Sequence, residues 1–178
     1  DAEADAIALR SFVEDGHQIL LCQSYAKNFG LYGERVGALS AVCASKEEKA
    51  ALESQLKAII RPMYSSPPIH GARIVKEVLG DSALRAQWTG ECKEMADRIQ
   101  EMRALLREGL KEAGSTKDWS HITDQIGMFA YTGLTQEQVQ QMRDESAVYC
   151  TLDGRISVAG LNKNNVAYVA AAIHAVSK

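Results

Sequence analysis

Apolar positions recur at three- and four-residue steps through Leu84, Trp88, Cys92, Met95, Ile99, Met102, Leu106 and Leu110, the longest periodic stretch of the chain. That spacing predicts one amphipathic helix over about 82–113, with Gly114 as its stop and Gly90 as a bend point. Upstream, Asp1 to Asp15 reads as a helix with a stripe of Ile7, Ala8, Phe12 and Val13, helped at its start by Glu3 and Asp5 and ended by Gly16. His17 to Cys22 and Val36 to Cys43 are apolar runs without strict alternation, which suits strands covered on both faces. Ser45-Lys46-Glu47-Glu48 is a capping box opening a helix with Leu52, Leu56, Ile59 and Ile60 on one side, expected to stop before Pro62. The three prolines all fall within 61–68, a stiff connector, and a helix follows through Arg73 to Leu79. Beyond the long helix, Met128 to Tyr131 reads as a strand. Thr135-Gln136-Glu137-Gln138 opens a helix with Val139 and Met142 inward. Ala147 to Cys150 and Arg155 to Val158 read as strands joined by a turn at Asp153-Gly154, and Asn162 to Asn165 cap a last helix with Val166, Val169, Ala170 and Ile173 inward.

This order predicts an α/β chain. Residues 1–90 read as part of a parallel-rich sheet with covering helices, and residues 91–178 as a smaller α+β domain, with the long helix joining them. Two or three strands are few for a parallel sheet that must be covered on both faces. Composition changes the picture little: of 178 residues, 46% are hydrophobic and 24% charged. Twenty basic against twenty-three acidic residues give a net charge of -3 with no basic block, which argues against nucleic acid or an anionic membrane as partner. No apolar run has transmembrane length, so the chain reads as soluble. Cys22, Cys43, Cys92 and Cys150 lack the paired spacing of a zinc site. They read as reduced thiols, buried at Cys22 and Cys43. His17, His70, His121 and His174 offer no metal pair, and no metal site is expected. Asp1 follows no initiator methionine and is not expected to be the biological start.

The stretch that carries chemistry runs from Gln23 to Arg35. Lys27 lies just past the apolar run Ile19–Cys22, with Ser24 three residues before it and Arg35 eight after. A lysine in the loop after a strand can be desolvated and made nucleophilic towards a carbonyl. A hydroxyl and a guanidinium fork are the groups that hold a phosphate. Pyridoxal phosphate needs both. From spacing alone, a solvated lysine and an arginine paired with a carboxylate are the more usual readings. Ser24-Tyr25-Ala26-Lys27 also matches the Ser-x-x-Lys of penicillin-binding enzymes, but no Lys-Thr-Gly accompanies it.

The string Ser24-Tyr-Ala-Lys-Asn-Phe-Gly-Leu-Tyr-Gly-Glu-Arg-Val-Gly37 resembles the cofactor-lysine segment of aspartate aminotransferases, which are fold-type I pyridoxal-phosphate enzymes. The resemblance covers essentially the whole chain and corresponds to the carboxyl-terminal part of a family subunit, less than half of it. It implies that Lys27 forms the Schiff base with pyridoxal 5'-phosphate and later moves a proton, and that Ser24 and Arg35 bind the cofactor phosphate. It implies that Arg155 grips the substrate α-carboxylate and that Phe129 lines the pocket. Arg61, with Ser65 nearby, would bind the distal carboxylate of aspartate or glutamate in the partner subunit's site. The activity implied is amino-group exchange between aspartate and 2-oxoglutarate in a homodimer. An aromatic amino acid aminotransferase is the alternative within the family. The Leu31-Tyr32-Gly33-Glu34-Arg35 variant is more similar to the mitochondrial branch than to the cytosolic one, implying the mitochondrial matrix with the cytoplasm as alternative. A carboxylate for the pyridine nitrogen, a tyrosine for the phenolic oxygen, a further phosphate loop and a stacking aromatic have no counterpart here. The chain taken alone would then be an inactive piece or a binding module.

Overall fold

The computed structural model describes residues 2–178, and the chain divides into two compact units, Asp1–Gly90 and Glu91–Lys178.

In the first unit, helices α1 (Ala2–Asp5) and α2 (Ile7–Glu14) replace the single helix expected over Asp1 to Asp15, of which Asp1 lies outside the described residues. The stripe shifts too. Leu9, Arg10, Val13 and Glu14 line a groove of about 300 Å³ with Ile19, Leu21, Ser40, Ala41 and Val42, while Ile7 and Phe12 are exposed. Strand β1 (Leu20–Ser24) pairs antiparallel with β2 (Gly37–Ala41), from Leu20 opposite Ala41 to Ser24 opposite Gly37. These two runs were read as strands of a parallel sheet. The segment between them holds only turns, whereas a parallel return requires a crossover that carries the chain back to the same end. Cys22 is exposed and Cys43 half-buried, not buried as expected: Cys22 lies on a two-stranded ribbon that leaves most of β1 open, and Cys43 lies beyond the end of β2.

Helix α3 (Lys46–Met63) starts at Ser45, whose Oγ accepts the Glu48 N–H at 3.1 Å. The reciprocal half of the box is displaced by one residue: Glu48 Oε2 accepts from the N–H of Ala44 at 2.6 Å. The helix runs through Pro62 rather than stopping before it. Pro62 lies so near the end that the last turn still closes, Tyr64 N–H and Ser65 N–H both reaching Ile60 O at 3.1 Å. Helix α4 is His70–Gly80 and α5 is Ser82–Glu112, the latter capped by Asp81 Oδ1, which accepts from Ala83 and Leu84 N–H, both at 2.9 Å. Ala26, Gly71 and Val75 are the buried residues among those described in this unit.

The second unit holds the core. From Met102 onward the apolar stripe of α5 is buried, Leu106 and Leu110 completely, whereas Leu84 and Met95 on the earlier turns are exposed. The helix closes at Gly114 (φ 92°), with Gly114 N–H on Lys111 O at 2.9 Å and Ser115 N–H on Leu110 O at 3.0 Å; this left-handed position costs a glycine little. Then come α6 (Ser120–Asp124), β3 (Phe129–Tyr131), α7 (Gln136–Ser146), β4 (Arg155–Ser157), a 3-10 turn (Val158–Gly160) and α8 (Val166–Val176). Strands β3 and β4 pair antiparallel, Phe129 opposite Ser157 and Tyr131 opposite Arg155. The expected strand Ala147 to Cys150 is irregular instead. Ala147 turns into the left-handed region (φ 50°) to end α7, and the edge of β4 is taken by β3. The turn at Asp153-Gly154 is present, Gly154 N–H reaching Thr151 O at 2.9 Å. Asn162 Oδ1 accepts from Asn164 N–H at 2.8 Å and Asn165 N–H at 3.1 Å, closing the turn before α8; Asn165 at the N-cap makes no side-chain cap bond, so the expected cap is a turn instead, and Val166, Ala170 and Ile173 of α8 are buried.

Candidate functional site

The loop between β1 and β2 is closed at its base by the Ser24–Gly37 pair and by Tyr25 N–H on Val36 O at 3.1 Å. Inside it, successive turns form where Gly30 N–H meets Lys27 O at 3.1 Å and Glu34 N–H meets Leu31 O at 3.2 Å. The closure gathers Ser24, Lys27 and Arg35 on one loop. Ser24 Oγ accepts the Ala26 N–H at 3.2 Å, and Ala26 is buried beside an exposed Lys27. Lys27 Nζ stands 5.3 Å from the centre of the Tyr32 ring. Arg35, in the left-handed region (φ 51°), donates from Nη1 to Tyr32 O at 3.0 Å. Neither Lys27 nor Arg35 has a carboxylate partner among the described residues, so the expectation of an arginine spent on a local ion pair is not met. Desolvation of Lys27, part of the nucleophilic reading, is not supplied by the elements around it here. A hydroxyl and two cations without acidic partners make a donor set that suits a phosphate dianion and a carbonyl to be captured by an amine. The site residues therefore fit pyridoxal phosphate.

Helices brace this loop. Gly71 on α4 allows close approach: a Cβ there would stand 2.7 Å from Glu34 Cβ and 3.1 Å from Val36 Cγ1, the neighbours of Arg35. His70 Nδ1 lies 3.1 Å from Glu34 Oε2. Trp88 on α5 donates from Nε1 to Asn28 O at 2.8 Å and stacks on Phe29 at 4.8 Å between ring centres. Tyr32 was legible within the motif. Gly71 and Trp88 were not, since nothing local ties them to a loop so distant in sequence.

Arg61 and Ser65 come together at the end of α3, Arg61 Nη1 to Ser65 Oγ at 3.4 Å, with Ser65 at φ 58° and both exposed. In the second unit, β3 and β4 bring Phe129 under Arg155, whose guanidinium carbon is 4.7 Å from the ring centre. Asp153 organises the turn before Arg155. It accepts the Thr151 hydroxyl and, at 3.2 Å, the Arg155 N–H on Oδ1, and the Tyr131 hydroxyl on Oδ2 at 3.3 Å. Foremost the Thr151 hydroxyl, then the Arg155 N–H, hold its carboxyl below the usual carboxylate range. Arg103, buried on α5, donates to Ile122 O (2.7 Å), Gly127 O (2.8 Å) and Phe129 O (2.6 Å), fixing the start of β3. Sequence reasoning missed it because its position on the long helix gives no sign of carbonyl partners.

Residues 1–173 match the family model described as aminotransferase class I and II. The chain belongs to that family. Members of the class use pyridoxal phosphate. Among its relatives are the mitochondrial aspartate aminotransferases of Dictyostelium discoideum, 57% identical over 99% of this chain and 41% of that protein, and of Gallus gallus, 55% identical over 100% and 42%. The chain thus spans about two fifths of the length of these relatives. Solved aminotransferase structures resemble it closely. A mitochondrial aspartate aminotransferase from Trypanosoma brucei matches with a TM-score of 0.97 at 50% identity, over 100% of this chain and 47% of that one. An aromatic-amino-acid aminotransferase from Burkholderia pseudomallei, covalently bound to pyridoxal phosphate, matches at 0.96 and 50% identity, over 99% and 44%. The α/β fold is accordingly that of fold-type I aminotransferases.

Proposed function

We propose that the protein carrying this chain is a pyridoxal-phosphate-dependent aspartate aminotransferase, converting L-aspartate and 2-oxoglutarate to oxaloacetate and L-glutamate. The observation that carries this reading is identity above 50% to mitochondrial aspartate aminotransferases along the whole chain, including the Ser24–Lys27–Arg35 loop. In this reading residues 1–90 are the closing portion of the cofactor-binding domain and 91–178 the small domain. The same names favour a mitochondrial location, which in this reading is the matrix.

Bound pyridoxal phosphate supplies an electron sink for the negative charge left on the substrate α-carbon. The chain's own residues do the rest. Lys27 would hold the cofactor through its amine and, once released, would take the α-proton as a general base and carry it to the cofactor's C4′ carbon. Ser24 would hold the phosphate by a hydrogen bond from its hydroxyl, and Arg35 by hydrogen bonds from its guanidinium N–H groups. Arg155 binds the substrate α-carboxylate with two parallel N–H donors, its plane set by Phe129. Arg61, helped by Ser65, reads the second carboxylate across a homodimer. Two forks for two carboxylates select a dicarboxylic amino acid. The likeness to the Burkholderia enzyme supports aromatic amino acid transamination as a second reading.

The test is to add pyridoxal phosphate, reduce with borohydride, map the added mass and assay amino transfer. Label confined to Lys27, with activity on aspartate falling at least about 10²-fold in Lys27→Ala, is expected. Scattered label would remove the assignment, and faster turnover of phenylalanine than of aspartate would favour the second reading. The carboxylate that the resemblance implies for the pyridine nitrogen has no matching motif in these residues, and in this reading the chain taken by itself is expected to be inactive.

A further inference from the structure

We propose that Trp88 is a positioning residue for Lys27: through its Nε1 hydrogen bond to Asn28 O and its stacking on Phe29, it sets where the lysine amine is presented. The proposal rests on the reading of Lys27 as the cofactor lysine. Lys27 itself is exposed, and among the described residues the Tyr32 ring stands beside its ammonium, so the loop backbone sets the reach within which its amine is presented. That backbone is gripped just beyond the lysine. Trp88 donates to the carbonyl of the next residue at 2.8 Å, and its ring lies over Phe29 at 4.8 Å and 20° between planes. Phe29 in turn meets Tyr25 edge to face at 5.6 Å, so one aromatic column spans two residues on either side of Lys27. Short-range ties accompany this grip, such as Phe29 N–H on Tyr25 O at 3.3 Å and Ala26 N–H on Ser24 Oγ at 3.2 Å. Trp88 comes from a point 60 residues away, on a 31-residue helix that provides a stiff support. Trp88 is half-buried rather than part of the core, and its indole N–H is spent on a loop carbonyl. Buried tryptophans usually serve packing first; here both the polar and the apolar part of the side chain are directed at one loop.

The test compares the whole protein carrying this chain as wild type, W88F and W88L. Phenylalanine keeps the stacking without the N–H, and leucine loses both. Without cofactor, amide hydrogen exchange of residues 25–30 is expected to quicken about tenfold in W88L and about threefold in W88F, with residues 120–124 and the urea midpoint little changed. With pyridoxal phosphate added, the pH midpoint of the bound chromophore is expected to differ from wild type in W88L, because a displaced loop presents the nitrogen to different neighbouring charges, and to return towards wild type in W88F. Unchanged exchange at 25–30, or exchange rising equally everywhere as the urea midpoint falls, overturns the proposal. If W88L does not fold, W88F decides by the same comparison. Wild type that takes no borohydride label at Lys27 withdraws the cofactor reading and this proposal together. Labelled wild type with an indifferent W88L withdraws Trp88 alone.

Discussion

Asp153 stands two residues from the arginine proposed to bind the substrate carboxylate, and its acceptor bonds have a pH dependence of known sign. Its folded-state pKa lies below the ordinary value, chiefly through the Thr151 hydroxyl and then the Arg155 N–H. The stabilisation is therefore complete above the ordinary aspartate value of about 3.9 and is lost as pH falls through the lower folded one. Amide shifts of Gly154 and Arg155 are expected to hold constant down to about pH 4 and to move below it. Movement centred well above that would contradict the hydrogen-bonded turn. Arg61 gives a second prediction at this scale. Arg61→Ala should lower kcat/KM for aspartate and glutamate by about 30- to 1,000-fold, as for a charge left without its partner, and spare phenylalanine. Equal losses on both substrate classes would end its role as reader of the distal carboxylate.

Elements in this chain differ in how completely their caps are made. Thr135 forms a complete capping box with Gln138: Thr135 Oγ1 accepts the Gln138 N–H at 3.3 Å and Gln138 Oε1 accepts the Thr135 N–H at 2.9 Å. Helix α7 also buries Val139 and Met142, so loosening its start disturbs the core. Thr135→Ala is expected to lower unfolding stability by about 1 kcal/mol in urea denaturation. Helix α3 buries no residue, so its cap has no core to hold together, and Ser45→Ala should change global stability little. A loss at Ser45 equal to that at Thr135 would refute this contrast.

At the scale of the whole chain, the buried apolar cluster runs from Met102 to Val176, while the first unit has Ala26, Gly71 and Val75 as its buried residues among those described. Burial of apolar surface is the main stabilising term, so protection in the isolated 178-residue chain should concentrate in the second unit. Hydrogen exchange is expected to be slowest in α5 beyond Met102 and in α8, and much faster in α3 and β1. Equal protection of both units would mean that the first unit holds itself together by contacts other than core burial. No helix among the described residues is long and apolar enough to cross a membrane.

Period and punctuation were readable in the sequence because they act locally. The repeat through Met102, Leu106 and Leu110, the stop at Gly114, the Thr135 box and the Asp153-Gly154 turn depend on residues within a few positions of one another. The run Ser24 to Gly37 marked the candidate site through resemblance rather than through local physics. What tertiary structure decided is pairing and bracing. Whether β1 runs parallel to its neighbour, whether Ala147 to Cys150 or Met128 to Tyr131 takes the edge of β4, and which helix reaches Lys27 all depend on distant partners. Alternation patterns say that a segment is extended, not which backbone it bonds to. Trp88 and Gly71 belong to the loop only because the fold folds α4 and α5 back onto it, and Arg103 finds its carbonyls only once β3 is in place.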